Sequence, residues 1–231
     1  MKTSVLLASA AVLALTAGSA SAGAAHPGVV VKAPPAKHFT LKPRLGSTTL
    51  YNQDAGSDSN AIVSQNFTDS SFPSTYDAYG ADDFVIPGTT KHKITKVFAN
   101  GGYFGWPGPA NSVTVVFYKK IKAGVAVLLK SCPSESYSDL SGSGAFLVDV
   151  SGCGVKIGGG KHRWVSAYVN MAFNTGGEWY WRTNINQVKK PSVWENPKNG
   201  FGTGCTTWTA TQVCIPYTGV GPDFAFAILG N

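Results

Sequence analysis

The acidic side chains of this sequence form one concentrated group in its first half. Carboxylates are ligands that Ca2+ prefers, and the amide oxygen of Asn52 and backbone carbonyls could complete such a site. The group is therefore a candidate structural calcium site, and the alternative is a set of solvated turns with Asp side-chain caps. Neighbouring strand residues point to opposite faces, so the adjacent pair in this group shares one pocket only if a bulge intervenes. The group consists of Asp54, Asp58, Asp77, Asp82 and Asp83.

Aromatic residues in Gly- and Pro-rich segments are the second candidate group. Flat rings that stack on sugar faces, with polar groups nearby, are a common way to bind polysaccharide. Loops on a rigid scaffold often carry function, although packing within the loop explains such rings equally well. Trp179 and Trp181 share one strand face and are expected to cover the core instead. The ligand-binding candidates are Tyr103, Phe104, Trp106, Trp194 and Trp208.

Acid–base hydrolysis of a glycan or peptide is the enzymatic alternative. A glycosidase needs two carboxyl groups about 5 to 10 Å apart. Glu178 and Glu195, or Asp149 with either of them, are the candidates, but no spacing in the sequence pairs them. The Ser-Gly-Ser-Gly run at residues 141–144 lacks the G-x-S-x-G pattern of a nucleophile elbow and indicates a turn. We therefore expect binding rather than catalysis, and we assign no catalytic residue.

A copper site is a minor alternative that depends on how the chain is processed. Cleavage after Ala25 would leave His26 as the N-terminal residue, whose amine and ring nitrogen can both bind copper. A second histidine would complete the site, with His38, His92 and His162 available. Cleavage before Gly23 removes this alternative.

The first 22 residues have the pattern of a secretory signal peptide. Lys2 precedes an apolar run from Ser4 to Gly18, and the small residues at 20–22 supply a cleavage site. The run is too short to span a bilayer, and no later segment is long and apolar enough to do so. Residues 23–46 are rich in Pro and basic side chains and contain no acid, which is typical of a mobile arm. Residues 47–231 are expected to form a single secreted domain.

The domain has the strand-and-turn pattern of an all-β protein. Short apolar segments rich in β-branched and aromatic residues alternate with Gly, Pro, Asn and Ser clusters, and no helical periodicity is sustained. The pattern predicts an antiparallel β-sandwich, jelly-roll or Ig-like, of about nine strands. The predicted strands cover residues 61–67, 82–86, 94–99, 112–119, 125–129, 145–150, 163–173, 178–182 and 223–229.

Alternation along two of these strands predicts which side chains are buried. Val113, Val115 and Phe117 share one face, and residues 165, 167, 169 and 171 form a similar apolar face on the later strand. We expect both faces to pack against a second sheet. The Gly-rich segment at 158–161 is expected to form a hairpin turn with positive φ.

The four cysteines predict two disulfides in an exported protein. Three connectivities are open, and local closure favours Cys132–Cys153 and Cys205–Cys214. A zinc site is disfavoured because no Cys pair has the short spacing that zinc sites use.

Net charge initially suggests a polyanion partner, but the charge is unevenly distributed. The chain has 19 basic and 12 acidic residues and a formal charge of +7. All the acids follow residue 46, whereas five basic residues precede residue 47, which leaves the domain at only +2. Nucleic-acid binding therefore loses its main support. Only 13% of the residues are charged, which excludes a coiled coil, and 12% are aromatic, which argues against a disordered chain.

Four segments of the sequence resemble an uncharacterised β-sandwich module of exported bacterial proteins. They are YDAYGADDFVIP at residues 76–87, ITKVFANGGYF at 94–104, GPANSVTVVFYK at 108–119, and FGTGCTTW with the later GPDFAFAI between 201 and 228. The resemblance covers most of the domain and implies its fold, but no active site. By analogy it suggests a surface or matrix role. From the residues themselves we expect a monomeric module that binds polysaccharide or another cell-surface polymer, with no membrane span and no cofactor other than the candidate Ca2+.

Overall fold

The computed structural model describes residues 28–32, 47–70, 74–105 and 107–231, which fold into an all-β, sandwich-like structure with three sheets. These residues contain two single-turn α-helices, α1 (Phe173–Gly176) and α2 (Thr211–Cys214), and the following strands. They are β1 (Val30–Lys32), β2 (Thr48–Asn52), β3 (Ser57–Val63), β4 (Gln65–Phe67), β5 (Tyr79–Val85), β6 (Lys91–Ala99), β7 (Gly101–Phe104), β8 (Ser112–Lys122), β9 (Val125–Glu135), β10 (Tyr137–Asp139), β11 (Phe146–Asp149), β12 (Lys156–Gly158), β13 (His162–Met171), β14 (Glu178–Asn184), β15 (Val193–Glu195), β16 (Thr209–Ala210), β17 (Asp223–Phe224) and β18 (Phe226–Gly230).

The three sheets are antiparallel except for one short pair. The five-stranded sheet has the order β1-β3-β14-β17, with β7 also on β14, and the six-stranded sheet has the order β10-β11-β6-β18-β2, with β12 also on β6. The seven-stranded sheet has the order β16-β15-β5-β13-β8-β9. In this sheet β4 pairs with β13 in parallel.

The main core lies where the three sheets face one another. Phe84 comes from the seven-stranded sheet, Phe226 from the six-stranded sheet and Trp181 from the five-stranded sheet, and all three are fully buried. Trp181 stacks on Phe224 with ring centroids 4.6 Å apart. Gly80 permits this stack because a Cβ there would lie 2.8 Å from the Phe224 ring. Burial of such large side chains contributes about 1.5 to 3 kcal/mol each.

The predicted all-β class and the predicted buried faces are confirmed. Val113, Val115 and Phe117 are buried in the main core, as are residues 165, 167, 169 and 171 of β13. The nine predicted segments all contain strands, but the count of nine was wrong, because the described residues form 18. The additional strands are short, or rich in Gly or polar residues, so pairing with longer neighbours holds them in place.

Two local expectations differ from the structure. The segment at 158–161 is a turn, with φ of +68° at Gly160, but it joins two sheets, since β12 pairs with β6 and not with β13. Residues 28–32 belong to the expected mobile arm, yet they form β1 and pair with β3. Their apolar side chains, Val30 among them, pack against the main core, which explains the docking. The leader at 1–22 and the remainder of the arm lie outside the described residues.

Both predicted disulfides are confirmed. Cys132 on β9 is joined to Cys153, and Cys205 is joined to Cys214 on α2. Within the described ranges no helix has the length and apolar character needed to cross a membrane.

The β8–β9 hairpin closes over one face of the seven-stranded sheet. Three register shifts interrupt the pairing of these strands, and such bulges bend and twist a hairpin. At the tip, Lys122 pairs with Val125 across a two-residue turn with positive φ at Ala123 and Gly124. Gly124 then forms an antiparallel bridge with Trp208, just before β16 at the other end of the sheet.

Candidate functional site

The outer face of the seven-stranded sheet, which points away from the main core, gathers aromatic and polar side chains. Register and packing place the following residues on it or against it: Tyr79, Ala81, Tyr118, Ile121, Trp164, Ser166, Tyr168, Val193, Glu195 and Trp208. A separate hydrophobic cluster of Ala81, Ile121, Trp164 and Trp208 forms its floor. Alternation along β5 and β13, and along β8 as far as Tyr118, positions most of these residues, because their neighbours in the chain face the main core.

Three half-buried tyrosines form a cluster on the outer face. The rings of Tyr79 and Tyr168 lie 4.6 Å apart, and Tyr118 contacts the Trp208 ring edge to face at 5.8 Å. Burial raises the pKa of all three phenols, and the nearby carboxylate of Glu195 raises those of Tyr79 and Tyr118 further. The phenols therefore stay neutral at physiological pH and offer both donor and acceptor capacity beside flat rings.

Glu195 is the carboxyl group of this cluster. It lies opposite Tyr79 in the register of β15 and β5. Burial raises the pKa of Glu195 to about 7, and the backbone N–H of Trp208, which donates to the carboxylate, opposes that rise. Near neutral pH the side chain thus exists in both protonation states, so it can accept a hydrogen bond from a ligand hydroxyl or donate one to it.

A cavity of about 480 Å³ opens where the hairpin tip meets the segment before β16. This volume is in the range of small-molecule binding sites. Its lining includes Lys122, Trp164, Lys190, Thr207 and Trp208. The buried Trp208 also contacts Tyr118, so the cavity adjoins the tyrosine cluster.

A buried carboxylate supports one wall of the cavity. Asp83 is fully buried, and its carboxylate pairs with the His162 ring and accepts the backbone N–H of Lys190, 3.3 Å from each oxygen. Burial raises the pKa of Asp83, while the hydrogen bond and charge of His162 oppose this. His162 in turn lies edge to face with Trp164, with ring centroids 5.9 Å apart.

The aromatic candidates from the sequence have different environments. Trp194 was wrongly assigned to a ligand surface, because it is fully buried in the main core and its indole N–H donates to the Val63 carbonyl at 2.9 Å. Tyr103 is half-buried against Phe146, and its hydroxyl accepts the Ala110 N–H. Phe104 is 55% exposed, whereas Trp208 is only 7% exposed and belongs to the floor of the cavity. Trp106 lies outside the described residues.

The four described carboxylates of the candidate calcium site do not converge. Asp54 accepts a hydrogen bond from Asn100, and Asp77 accepts the backbone N–H of Phe67. Asp82 and Asp83 face opposite sides of β5, as expected for strand neighbours, and the side chain of Asp58 lies outside the described set. Among the described residues, the only three potential ligand groups within 4.8 Å of one another are those of Cys132, Glu135 and Cys153, and this cysteine pair is a disulfide.

Asp82 belongs instead to a buried polar network that the sequence did not reveal. Its carboxylate accepts hydrogen bonds from the Gln53 amide at 2.6 Å and the Phe224 N–H at 2.7 Å. Burial raises the pKa of Asp82, and the charge of Asp223 raises it further. Burial also raises the pKa of Asp223 to about 7. These groups hold β17 against β5 and face the core, so they are structural.

The carboxyl groups of the hydrolase alternative lie on three different sheets. Glu178 is on the five-stranded sheet, Glu195 on the seven-stranded sheet and Asp149 on the six-stranded sheet, where it pairs with Lys96 at 3.2 Å. This separation leaves the three groups without the shared cleft that paired acid–base catalysis requires.

Glu178 occupies a closed environment beneath the N-terminal strand. It is 1% exposed, and its Oε2 accepts the Gly28 N–H at 3.2 Å and lies 2.5 Å from the Tyr180 hydroxyl. Its Oε1 is buried without a hydrogen-bond partner among the described residues. Burial raises the pKa of Glu178 to about 8, although the two hydrogen bonds oppose this.

The residues of the copper alternative are only partly described. His26 and His38 lie outside the described residues. His92 is on β6 of the six-stranded sheet, and His162 on β13 is engaged with Asp83. The two described histidines thus belong to different sheets.

Sequence reasoning missed the tyrosine cluster, although a usable signal was present. The alternation that predicts a buried Val face on β8 and β13 also leaves Tyr118, Trp164 and Tyr168 together on the opposite face. Their meeting with Tyr79 and Glu195 depends on the strand order, which alternation does not give.

Comparison with known proteins adds no relative. No protein-family model, curated protein or solved structure matches the chain. The resemblance to the exported bacterial module therefore stays a prediction.

Proposed function

We propose that the protein is a secreted, non-catalytic binding module whose outer face binds polysaccharide or another extracellular polymer. The observation that carries this proposal is the cavity beside the half-buried tyrosine cluster, where threonine hydroxyls and lysines surround a floor that contains the buried Trp164 and Trp208. Aromatic surface combined with hydroxyl, phenol and carboxyl groups suits the alternating apolar and polar faces of sugar rings.

Secretion is supported by two independent features. The leader-like sequence at residues 1–22 is typical of an exported protein, and the two disulfides are typical of an oxidising compartment. The separation of Glu178, Glu195 and Asp149 onto three sheets favours binding over hydrolysis.

A cavity-blocking substitution tests the proposal without removing core packing. Thr207 is exposed and lines the cavity, so Thr207→Trp adds bulk at its mouth. Thr206 is also exposed but is not part of the lining, which makes Thr206→Trp the matched control. Retention on insoluble glycans and binding on a glycan array should fall for the first variant and not for the second.

The exposed Phe104 provides an internal comparison for the competing loop site. Phe104→Ala removes an aromatic side chain on the five-stranded sheet and leaves the cavity untouched. If this variant loses retention while Thr207→Trp keeps it, the ligand surface is the loop and the outer-face proposal is wrong.

A further inference from the structure

Two lysines from turns distant in the chain line the same cavity. Lys122 is at the tip of the β8–β9 hairpin, and Lys190 is in the loop between β14 and β15. Both side chains are exposed, and the segments that carry them are fixed by separate contacts.

The turn that carries Lys122 is fixed by its bridge to Trp208. Gly124 has a φ of +78°, and a Cβ there would lie 2.9 Å from Thr207 Oγ1, so glycine allows both the turn and the close contact. The bridge keeps the tip against the segment before β16. Lys122 is therefore presented at the cavity before any ligand arrives.

The loop that carries Lys190 is fixed from beneath by Asp83. The fully buried carboxylate accepts the Lys190 backbone N–H, and Pro191 restricts the backbone conformation of Lys190, which precedes it. Ser192 then donates its N–H to the Pro222 carbonyl at 2.8 Å. The backbone at Lys190 is therefore ordered before a ligand binds, so binding costs less conformational entropy than it would for a mobile loop.

The only charged residues in the lining of the cavity, among the described residues, are the two lysines. Lys119 and Lys120 on β8, and Lys189 in the loop, are exposed close to the two lining lysines in the chain. The nearby carboxylates offset little of this charge. Asp83 is engaged by His162 and the Lys190 N–H, and the raised pKa of Glu195 keeps part of its population neutral near pH 7.

We propose that the polymer bound at this surface is an acidic polysaccharide, whose carboxylate or sulfate groups pair with Lys122 and Lys190. This inference rests on the proposed function. Ammonium groups act as point charges and accept either anion without the bidentate geometry that Arg favours. Pro191, Val193 and the exposed Thr207 hydroxyl provide the surface for the sugar ring between the charges, over a floor of buried tryptophans.

A pair of charge-matched double variants tests the ligand class. Lys122→Ala/Lys190→Ala removes the lining charges, whereas Lys91→Ala/Lys93→Ala removes the same charge from exposed positions on β6 of another sheet. The probes are polygalacturonate, dextran sulfate, a neutral soluble β-glucan and an oligo-dT strand. Binding is followed by affinity electrophoresis at two salt concentrations.

The expected result is salt-sensitive binding of an acidic glycan that falls about fivefold or more in the first double variant. The control double variant should keep its affinity within about twofold. Loss on polygalacturonate identifies carboxylate recognition, loss on dextran sulfate identifies sulfate recognition, and either supports the proposal.

Four outcomes would overturn it. Tight binding of the neutral β-glucan with no preference for acidic glycans would refute the charge inference and leave the proposed function intact. Equal losses of affinity in both double variants would show that binding depends on the net charge of the protein and not on the two lysines of the cavity. Absence of binding to every glycan would refute both proposals, and stronger binding to oligo-dT would replace the glycan with a nucleic acid.

Discussion

The hydrogen bonds around Glu178 require a protonated side chain, so the free energy of unfolding should depend on pH. The Tyr180 hydroxyl lies 2.8 Å from the Gly28 carbonyl and 2.5 Å from Glu178 Oε2, but it has only one proton to donate. Both contacts are hydrogen bonds when Tyr180 donates to Gly28 and a protonated Glu178 donates to Tyr180. Since Oε1 is buried without a partner in the described structure, the neutral acid also avoids an unsolvated charge.

The sign and size of the effect follow from linkage. The pKa of Glu178 rises from an ordinary 4.5 to about 8 in the folded state, so the folded protein holds this proton more tightly than the unfolded chain does. The stability that the protonated group contributes is complete below about pH 4.5 and is lost as pH rises to about 8. The full difference corresponds to about 5 kcal/mol at 1.36 kcal/mol per pKa unit. Detachment of β1 would hydrate the ionised group, so a loss on the order of 2 to 5 kcal/mol is expected.

The substitution Glu178→Gln isolates this contribution from the other buried acids. The variant cannot ionise at this position, so the difference in free energy of unfolding between wild type and variant should shift steadily toward the variant between pH 5 and pH 8. Urea unfolding followed by tryptophan fluorescence at four pH values gives this difference. Glu135→Gln on β9 is the matched control, and its difference from wild type should not follow this trend.

Two results would refute the reasoning. If wild type and Glu178→Gln lose stability in parallel as pH rises, Glu178 is not protonated in the folded state. If amide exchange of Val30 and Lys32 is unchanged between pH 6 and pH 8 after correction for intrinsic rates, the acid does not hold β1. Both measurements use the intact protein.

Three further predictions concern packing, covalent closure and ligand charge. Gly80→Ala should destabilise the protein by about 1 to 3 kcal/mol in urea unfolding, because the new Cβ meets the Phe224 ring. The control Gly152→Ala, whose Cβ meets no atom within 4 Å, should have little effect, and equal effects of the two substitutions would contradict the packing argument. Replacement of Cys132 and Cys153 together by Ser opens a loop with a sequence separation of 21 and should cost about 3 kcal/mol in the same assay, and an unchanged unfolding midpoint would show that the bond adds nothing. Affinity for polygalacturonate should fall as pH rises through about 7, because Glu195 gains negative charge there. Glu195→Gln should remove this pH dependence, and a variant with the same pH profile as wild type would exclude Glu195 from the ligand surface.

The fold was largely predictable because its strands carry strong local patterns. Alternation identified the buried faces of β8 and β13, and the even count and local spacing of cysteines identified both disulfides. The short strands β7 and β15 were not predictable from their own residues. Their partners β14 and β5 supply the hydrogen bonds that hold them.

The candidate site was less predictable because long-range pairing creates it. Trp194 and Trp208 look alike in the sequence, but one faces the main core and the other lines the cavity. The register of β15 on β5 turns Trp194 toward the main core, since Trp194 pairs with Gly80 and its chain neighbours Val193 and Glu195 occupy the outer-face positions. The acidic group likewise contained one pair that strand geometry separates, Asp82 and Asp83.

The bridge between Gly124 and Trp208 joins positions far apart in the chain, and both residues line the cavity. The ability to bind ligand therefore indicates that folding is complete. Such a distant contact forms only after the intervening strands have paired, because closing a long segment early carries a large entropic cost. During refolding, ligand binding should therefore be among the last properties regained. A purified preparation could then be graded by its ligand-competent fraction, which would report misassembled molecules that a secondary-structure spectrum counts as native.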